Sequence, residues 1–295
     1  MDVFTKNKKE RQSSLPPFPK KEGTGPVETA KKKSIATNTL NDLNGSEWKF
    51  STKSVINKIF PINMQHKLRS QHGGQKPPEL CADLIKIFTK KGQLVLDPLA
   101  GVGGTLLGAS LSGREAIGIE INPKWAEIYK EVCILENLKI HKIIVGDARE
   151  QLPKIAKDSV DFILTDVPYW NMDKLSHTRS NKMRKSKLSK FNGSVEQTKK
   201  CWLNEMVSIF EKCSDPLKAG KYMAVFIGDI YRGKQYHILS ADLANIISKI
   251  DGFVLKANLI WFDGTKMLHV YGYPCAFVPS MIHQNILIFK KEKQL

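Results

Sequence analysis

The sequence predicts an α/β fold built on a mostly parallel, doubly wound sheet, and three observations carry that prediction. Short apolar, β-branched runs alternate with helix-length amphipathic segments. The first buried run, Leu94-Val95-Leu96, passes straight into a glycine-rich turn, Gly101-Val102-Gly103-Gly104. Glu120, Asp147 and Asp166 then fall at the ends of three further strands. In open sheets of this kind ligands bind outside the carboxyl ends of the strands, so acids in that register gather at one crevice.

Residues 1–38 are rich in Lys, Pro, Ser, Thr and Gly and hold few large apolar side chains. Such a stretch buries too little to offset the entropy of ordering, so it reads as a basic, disordered arm ahead of a domain over 39–295. Apolar residues return from Leu40 to Phe60, with turn chemistry at Gly45, Ser46 and Pro61. Pro77 and Pro78 open a helix, where a missing N–H and a fixed φ cost nothing. Leu80, Leu84, Ile87 and Phe88 recur on one face of it and Gly92 ends it.

Leu94–Leu96, bounded by Gly92 and Asp97-Pro98, reads as a strand buried on both faces. A small-residue helix to about Ser112 and a strand at Ala116–Ile119 follow. Asn122-Pro123 then opens a helix with Trp125, Ile128, Val132 and Leu135 inward. Further strands fit Lys142–Val145, Val160–Thr165, Tyr222–Ile227, Val254–Phe262 and Asn285–Phe289, with helices near 196–214 and 239–250. Between Asp173 and Lys200 lies a basic insertion whose only acid is Glu196. A charge run of this kind is usually a solvated loop. Its place beside Asp166 also makes Arg179, Lys182, Arg184, Lys185 and Lys187 candidate phosphate contacts.

The 295 residues carry a formal charge of +17. An excess of that size suits a polyanion, because each neutralised phosphate releases condensed counterions. A membrane partner is not expected: the Lys and Arg are spread along the chain, with no amphipathic anchor and no apolar run of about eighteen residues. Without a signal-like N-terminus the expected location is cytoplasmic, on the nucleoid when at work. Cys81, Cys133, Cys201, Cys213 and Cys275 form no C-x-x-C pair and no His cluster has ligand spacing, so neither a metal site nor a disulfide framework is expected.

The glycine turn lets the backbone approach a nucleotide closely, but alone it is weak evidence. A nicotinamide enzyme would want a third glycine where Leu106 stands. Glu120 is placed to accept from a ribose diol, and Asp147 from an adenine amino group. The strip Asp166-Val167-Pro168-Tyr169 ends the fourth strand. An exocyclic base amine is a poor nucleophile, because its lone pair is delocalised into the ring. The Asp166 carboxylate and the Val167 carbonyl can accept its two hydrogens, and Tyr169 offers a stacking face to a base flipped out of its duplex. Methyl transfer to that amine then needs a donor held at near-attack distance, about 3–3.5 Å.

On these residues the chain resembles the amino-group DNA methyltransferases of the adenine-N6 and cytosine-N4 type. Asp97 to Thr105 matches their cofactor motif D-P-F-x-G-x-G-T-T, and Asp166 to Tyr169 their D/S-P-P-Y. His72 with Gly73-Gly74-Gln75-Lys76-Pro77 is similar to their H-P-x-x-K-P stretch, and Gly118 to Pro123 to their ribose-binding turn. Leu43 to Trp48 and Thr52 to Val55 look like the lead-in of the branch that carries the cofactor motif before the catalytic motif. The likeness spans about 40–290.

The resemblance implies a seven-stranded Rossmann-like sheet whose last strand is antiparallel, and S-adenosylmethionine as cofactor. It would be held by Lys76, Pro77, Asp97, Pro98, Leu99, Ala100, Gly101, Gly103, Thr105, Glu120, Asn122, Asp147 and Ala148. The resemblance also implies Asp166, Val167, Pro168 and Tyr169 as the catalytic strip and double-stranded DNA as partner; adenine against cytosine, a cognate restriction endonuclease as companion against a solitary enzyme, the recognition sequence and the oligomeric state stay open. Two positions depart from the pattern. Leu99 replaces an aromatic residue, and Val167 replaces a proline, restoring a backbone N–H and loosening φ. Pro168 still biases Val167 to an extended backbone. An RNA base N-methyltransferase, a catalytically decayed nucleic-acid-binding protein and, more distantly, a dehydrogenase stay open beside the main reading.

Overall fold

A computed structural model of the chain describes residues 37–170 and 194–292. Arg179, Lys182, Arg184, Lys185 and Lys187 lie outside the described residues, as do all but the last two residues of the expected N-terminal arm. The basic stretch expected to run to Lys200 ends earlier: Ser194 caps helix α7 (Val195–Cys213), so Lys199 and Lys200 are helical. Lys199 pairs with Asp242.

The lead-in holds α1 (Gly45–Ser51), β1 (Val55–Ile56) and α2 (His66–Arg69). Asn44 and Glu47 close a capping box that starts α1. From there strands and helices alternate as the periodicity predicts: α3 (Pro78–Phe88), β2 (Leu94–Asp97), α4 (Gly104–Ser112), β3 (Glu115–Glu120), α5 (Pro123–Leu135) and β4 (Lys142–Val145). Next come α6 (Ala148–Gln151), β5 (Val160–Asp166), α7, β6 (Leu217–Ile227), the small hairpin β7 (Ile230–Arg232) and β8 (Gln235–His237), α8 (Leu239–Ile247), β9 (Phe253–Phe262) and β10 (His283–Lys291).

The main sheet has the order β1-β9-β10-β6-β5-β2-β3-β4. Seven of these strands form the expected arrangement, with β10 antiparallel to both β6 and β9. The eighth, β1, adds two residues to the outer edge beside β9, a pairing too short to read from the sequence.

Successive strand residues feed opposite faces. Phe162 and Leu164 join Leu84, Leu106 and Val132 on the face that α3, α4 and α5 cover. Ile163, Met223 and Val225 join Trp202, Phe210 and Leu243 on the face of α7 and α8. Apolar residues on both faces are what a sheet buried between two helix layers requires. One expectation fails in detail: Leu135 is exposed. The buried face of α5 centres on Tyr129 and Cys133, and Leu135 falls to one side of it.

The consequence for the site is geometric. β2, β3, β4 and β5 are parallel neighbours, so Asp97, Glu120, Asp147 and Asp166 emerge along one edge.

Candidate active site

The cofactor turn is built by the backbone. Gly101 and Gly103 both have positive φ, +52° and +77°, which L side chains rarely adopt. A Cβ on Gly103 would also run into the ring of Tyr129. Ala100 N–H donates to the Ile119 carbonyl at 2.8 Å, tying the turn to β3. Asp97 is buried and accepts from Leu99 N–H at 3.1 Å and from the Thr165 hydroxyl at 2.8 Å. Burial outweighs those bonds and lifts its carboxyl to about 6.

Glu120 locks the turn from the next strand. Its Oε2 accepts from Gly101 N–H and its Oε1 from Asn122 N–H, both at 2.7 Å. Each carboxylate oxygen has a second lone-pair site, so Glu120 is oriented and can still accept from a diol. Burial raises its pKa against these bonds. Asn122 caps α5.

Asp147 is differently engaged. It caps α6, and its two oxygens take the Nε and Nη2 of Arg149 at 3.0 and 2.6 Å. The structure thus gives Asp147 an ion pair at the position where the sequence suggested an open adenine acceptor, and Ala148 is buried behind it.

The catalytic strip is fixed by segments remote in sequence. Asp166 ends β5, and its Oδ2 is paired with the Nζ of Lys76. Its Oδ1 is buried and has no hydrogen-bond partner among the described residues. Burial pushes the Asp166 carboxyl up, although the Lys76 ammonium pulls the other way. Val167 is buried, and the N–H that a proline would lack donates to the Phe226 carbonyl at 3.4 Å. The substitution therefore ties the strip to β6. The Pro168 carbonyl accepts from Trp202 Nε1 at 2.8 Å. Tyr169 is half-buried, with its hydroxyl beside Gln284 and its ring near Gly228. Trp170 anchors the end of the strip through a 3.2 Å bond to Thr198.

Part of this machinery meets in one cleft, lined by His72, Gly74, Gln75, Lys76, Asp97, Leu99, Ala100, Gly101, Val102, Gly104, Thr105, Asp166 and Phe226, whereas Pro77, Pro98, Gly103, Glu120, Asn122, Asp147, Ala148, Val167, Pro168 and Tyr169 lie outside its wall. Lys76 and the two catalytic-edge acids Asp97 and Asp166 thus meet the glycine turn, while Pro77 serves as the N-cap of α3 just behind. The turn fits an adenosine-bearing cofactor: Gly101 and Gly103 leave the backbone open to close approach, and the Glu120 carboxylate is fixed on the next strand. Sequence reasoning missed Trp202, Gln284, Phe226 and the Lys76 contact with Asp166, because none has a local signal near the strip. No group of residues among those described could hold a metal ion.

Comparison with known proteins agrees with this geometry. The model of the DNA methylase family, N6/N4 type, matches residues 2–131 and 160–295. A tRNA (guanine(10)-N2)-dimethyltransferase of Methanocaldococcus jannaschii is 31% identical over 118 residues, 38% of this chain and 34% of the relative. Type II methyltransferase M.HindIII of Haemophilus influenzae is 42% identical over 64 residues, 22% of this chain and 21% of the relative. The matched part of the chain thus spans 34% and 21% of the length of these two curated relatives. Among solved structures, TrmN from Thermus thermophilus shares the fold at a TM-score of 0.52 and 15% identity, over 78% of this chain and 53% of that one. Because the family match runs through the glycine turn and the Asp166 strip alike, we conclude that the chain belongs to the DNA methylase family, S-adenosylmethionine-dependent methyltransferases of the N6/N4 type.

Proposed function

We propose that the protein methylates the exocyclic amino group of adenine (N6) or cytosine (N4) in double-stranded DNA, acting on a base flipped out of the helix. The observation that carries this reading is Asp166: a carboxylate on the cleft wall, with one oxygen held by Lys76 and the other buried with no hydrogen-bond partner among the described residues. An amine entering the cleft supplies the missing donor.

In this reading the glycine turn, Asp97, Thr105 and Glu120 hold S-adenosylmethionine, with Lys76, Pro77, Pro98, Leu99, Ala100, Asn122, Asp147 and Ala148 around them. The cofactor supplies an electrophilic methyl group. Asp166 Oδ1 and the Val167 carbonyl accept the two amine hydrogens and draw the nitrogen lone pair out of the ring. The amine proton passes to Asp166 Oδ1, which burial makes a better base than an exposed aspartate. Tyr169 stacks on the base, and Pro168, through Trp202, sets the height of the strip.

The family and the Type II relative support DNA. The tRNA relative supports a second reading, the N2 amine of guanine in RNA, which the same strip would serve. A cognate restriction endonuclease is a further proposed partner, and the excess of Lys and Arg supports action at the nucleoid from the cytoplasm. No helix among the described residues is long and apolar enough to cross a membrane. Transfer of labelled methyl groups to duplex DNA, tRNA and rRNA in parallel tests the assignment. Label on DNA is expected; label on RNA alone replaces the first reading with the second.

A further inference from the structure

Residues 263–282 join β9 to β10 and form an ordered tongue. Asp263 N–H donates to the Ile282 carbonyl at 2.8 Å, and the Lys266 ammonium reaches the Met281 carbonyl at 3.4 Å. Further out, Ser280 Oγ accepts from His269 N–H at 2.9 Å and donates to the His269 carbonyl at 3.0 Å. Tyr271 and Val278 bridge in antiparallel fashion, and the Gly272 carbonyl accepts from Cys275 and Ala276 at the tip.

A hairpin so braced has no need to show apolar side chains to water. This one shows Leu268, Val270, Tyr273 and Phe277, which are 74%, 83%, 80% and 89% exposed. A cluster of that kind marks a contact surface.

Its position and charge say what it contacts. β9 runs parallel to β6 and β5 through the registers of β10, so the tongue leaves the sheet at the edge where β5 delivers Asp166. Lys266 at its root is held below the usual lysine range by burial, and the charges of Asp263, Lys76 and Asp166 all act on it. The root also borders a cavity that reaches Lys76, with Lys58, His66, Arg69 and Trp261 in its wall. Arg69 Nε and Trp261 Nε1 are buried donors without a partner. No acidic residue occurs between Asp263 and Glu292. A tongue with no acid beyond Asp263 at its root, beside the Asp166 edge and in a chain of charge +17, matches a nucleic acid.

We propose that the tip of this tongue, Tyr273 and Phe277 above all, stacks on nucleobases next to the target nucleotide and fills the space a flipped base leaves. Apolar and aromatic wedges do this in other proteins, where they hold an unstacked step open. The inference rests on the nucleic-acid reading of the site, and is indifferent to DNA or RNA.

Two variants test it, Tyr273→Ala/Phe277→Ala and Phe277→Trp, each first checked for unaltered S-adenosylmethionine binding to show that the fold is intact. The probes are a mixed-sequence duplex oligonucleotide, a tRNA and heparin, a polyanion without bases. The emission that Phe277→Trp adds to that of the five native tryptophans, read as the difference from the unsubstituted protein, should be quenched by at least one of the two nucleic acids and unaffected by heparin. The double alanine variant should bind that nucleic acid at least about fivefold more weakly, the lower end of what one stacked base contributes. Its log affinity against log salt should keep the same slope, because no phosphate contact is lost. Unchanged affinity, a shallower slope, or Trp emission that depends on protein concentration without nucleic acid overturns the inference, the last pointing to a second copy as the occupant. These are binding readouts, so they separate from the functional reading: quenching with no methylated acceptor keeps the tongue and removes the function, whereas methylation by the double variant at wild-type kcat/KM does the reverse.

Discussion

The two halves of the catalytic edge are built by different means. From β2 to β4 the edge is backbone work: a positive-φ glycine turn, caps at Asn122 and Asp147, and a carboxylate at Glu120 that reaches Gly101, nineteen residues away. From β5 outward it is assembled from afar. Asp166 depends on Lys76, ninety residues upstream, and Pro168 on Trp202, thirty-four downstream. A cofactor common to many enzymes is met by a local, repeatable motif; the acceptor is met by side chains that only the tertiary fold brings together. Disturbing the first half should therefore weaken cofactor binding, and disturbing the second should slow chemistry.

The largest expected effect is on the second half. Asp166→Asn should lower kcat by about 10²–10³, the usual loss when one preorganised polar group is removed. The affinity for S-adenosylmethionine, read by calorimetry, should stay within about twofold if the halves divide as stated. An equal loss of cofactor affinity would break the comparison.

Asp97 joins the halves through Thr165, and its effect is on stability. Its pKa rises from 3.8 to about 6 on folding, so the folded state binds the proton more tightly than the unfolded chain. Stability from this group is complete below about pH 4 and is lost as pH rises to about 6, a change of roughly 3 kcal/mol. Asp97→Asn keeps acceptors for Leu99 and Thr165 and should flatten denaturation midpoints over that window. An undiminished slope would place the titration elsewhere.

Glu120→Ala should weaken S-adenosylmethionine binding by about ten- to a hundredfold, as expected for charge-assisted hydrogen bonds of about 1.5–3 kcal/mol. Single-turnover rates at saturating cofactor should change far less. The smallest effect belongs to Val167→Pro, which restores the familiar proline but deletes the long bond to Phe226. We expect less than about 1 kcal/mol of destabilisation and retained turnover. A large loss of either would mean that the strip relies on that N–H more than its 3.4 Å length suggests.

The same division explains what could be read in the sequence. The parallel sheet and the glycine turn are legible in the sequence, because strand alternation, proline and glycine act over a few residues, whereas the antiparallel last strand follows only from the family resemblance. Glu120 was legible for the same reason. Asp147 was placed on the correct edge, but Arg149, two residues on, occupies its carboxylate, a local pairing that the strand-end rule overlooks. Val167 looked like a weakening, and only the position of β6 reveals that its N–H is used. Lys76, Trp202 and Gln284 had no signal near the strip, since their relation to it exists only across the sheet. The tongue has no sequence signal of its own, because exposure of Leu268, Val270, Tyr273 and Phe277 is a property of the folded chain.

The central claim is that the Asp166 strip methylates an exocyclic base amine in DNA. Its most direct test is to incubate duplex DNA with the protein and labelled S-adenosylmethionine, digest it to nucleosides and identify the labelled one by mass spectrometry. We predict N6-methyladenine or N4-methylcytosine, lost with Asp166→Asn. Label on a ring carbon such as C5 of cytosine, or DNA left unlabelled while RNA gains methyl groups, would contradict it.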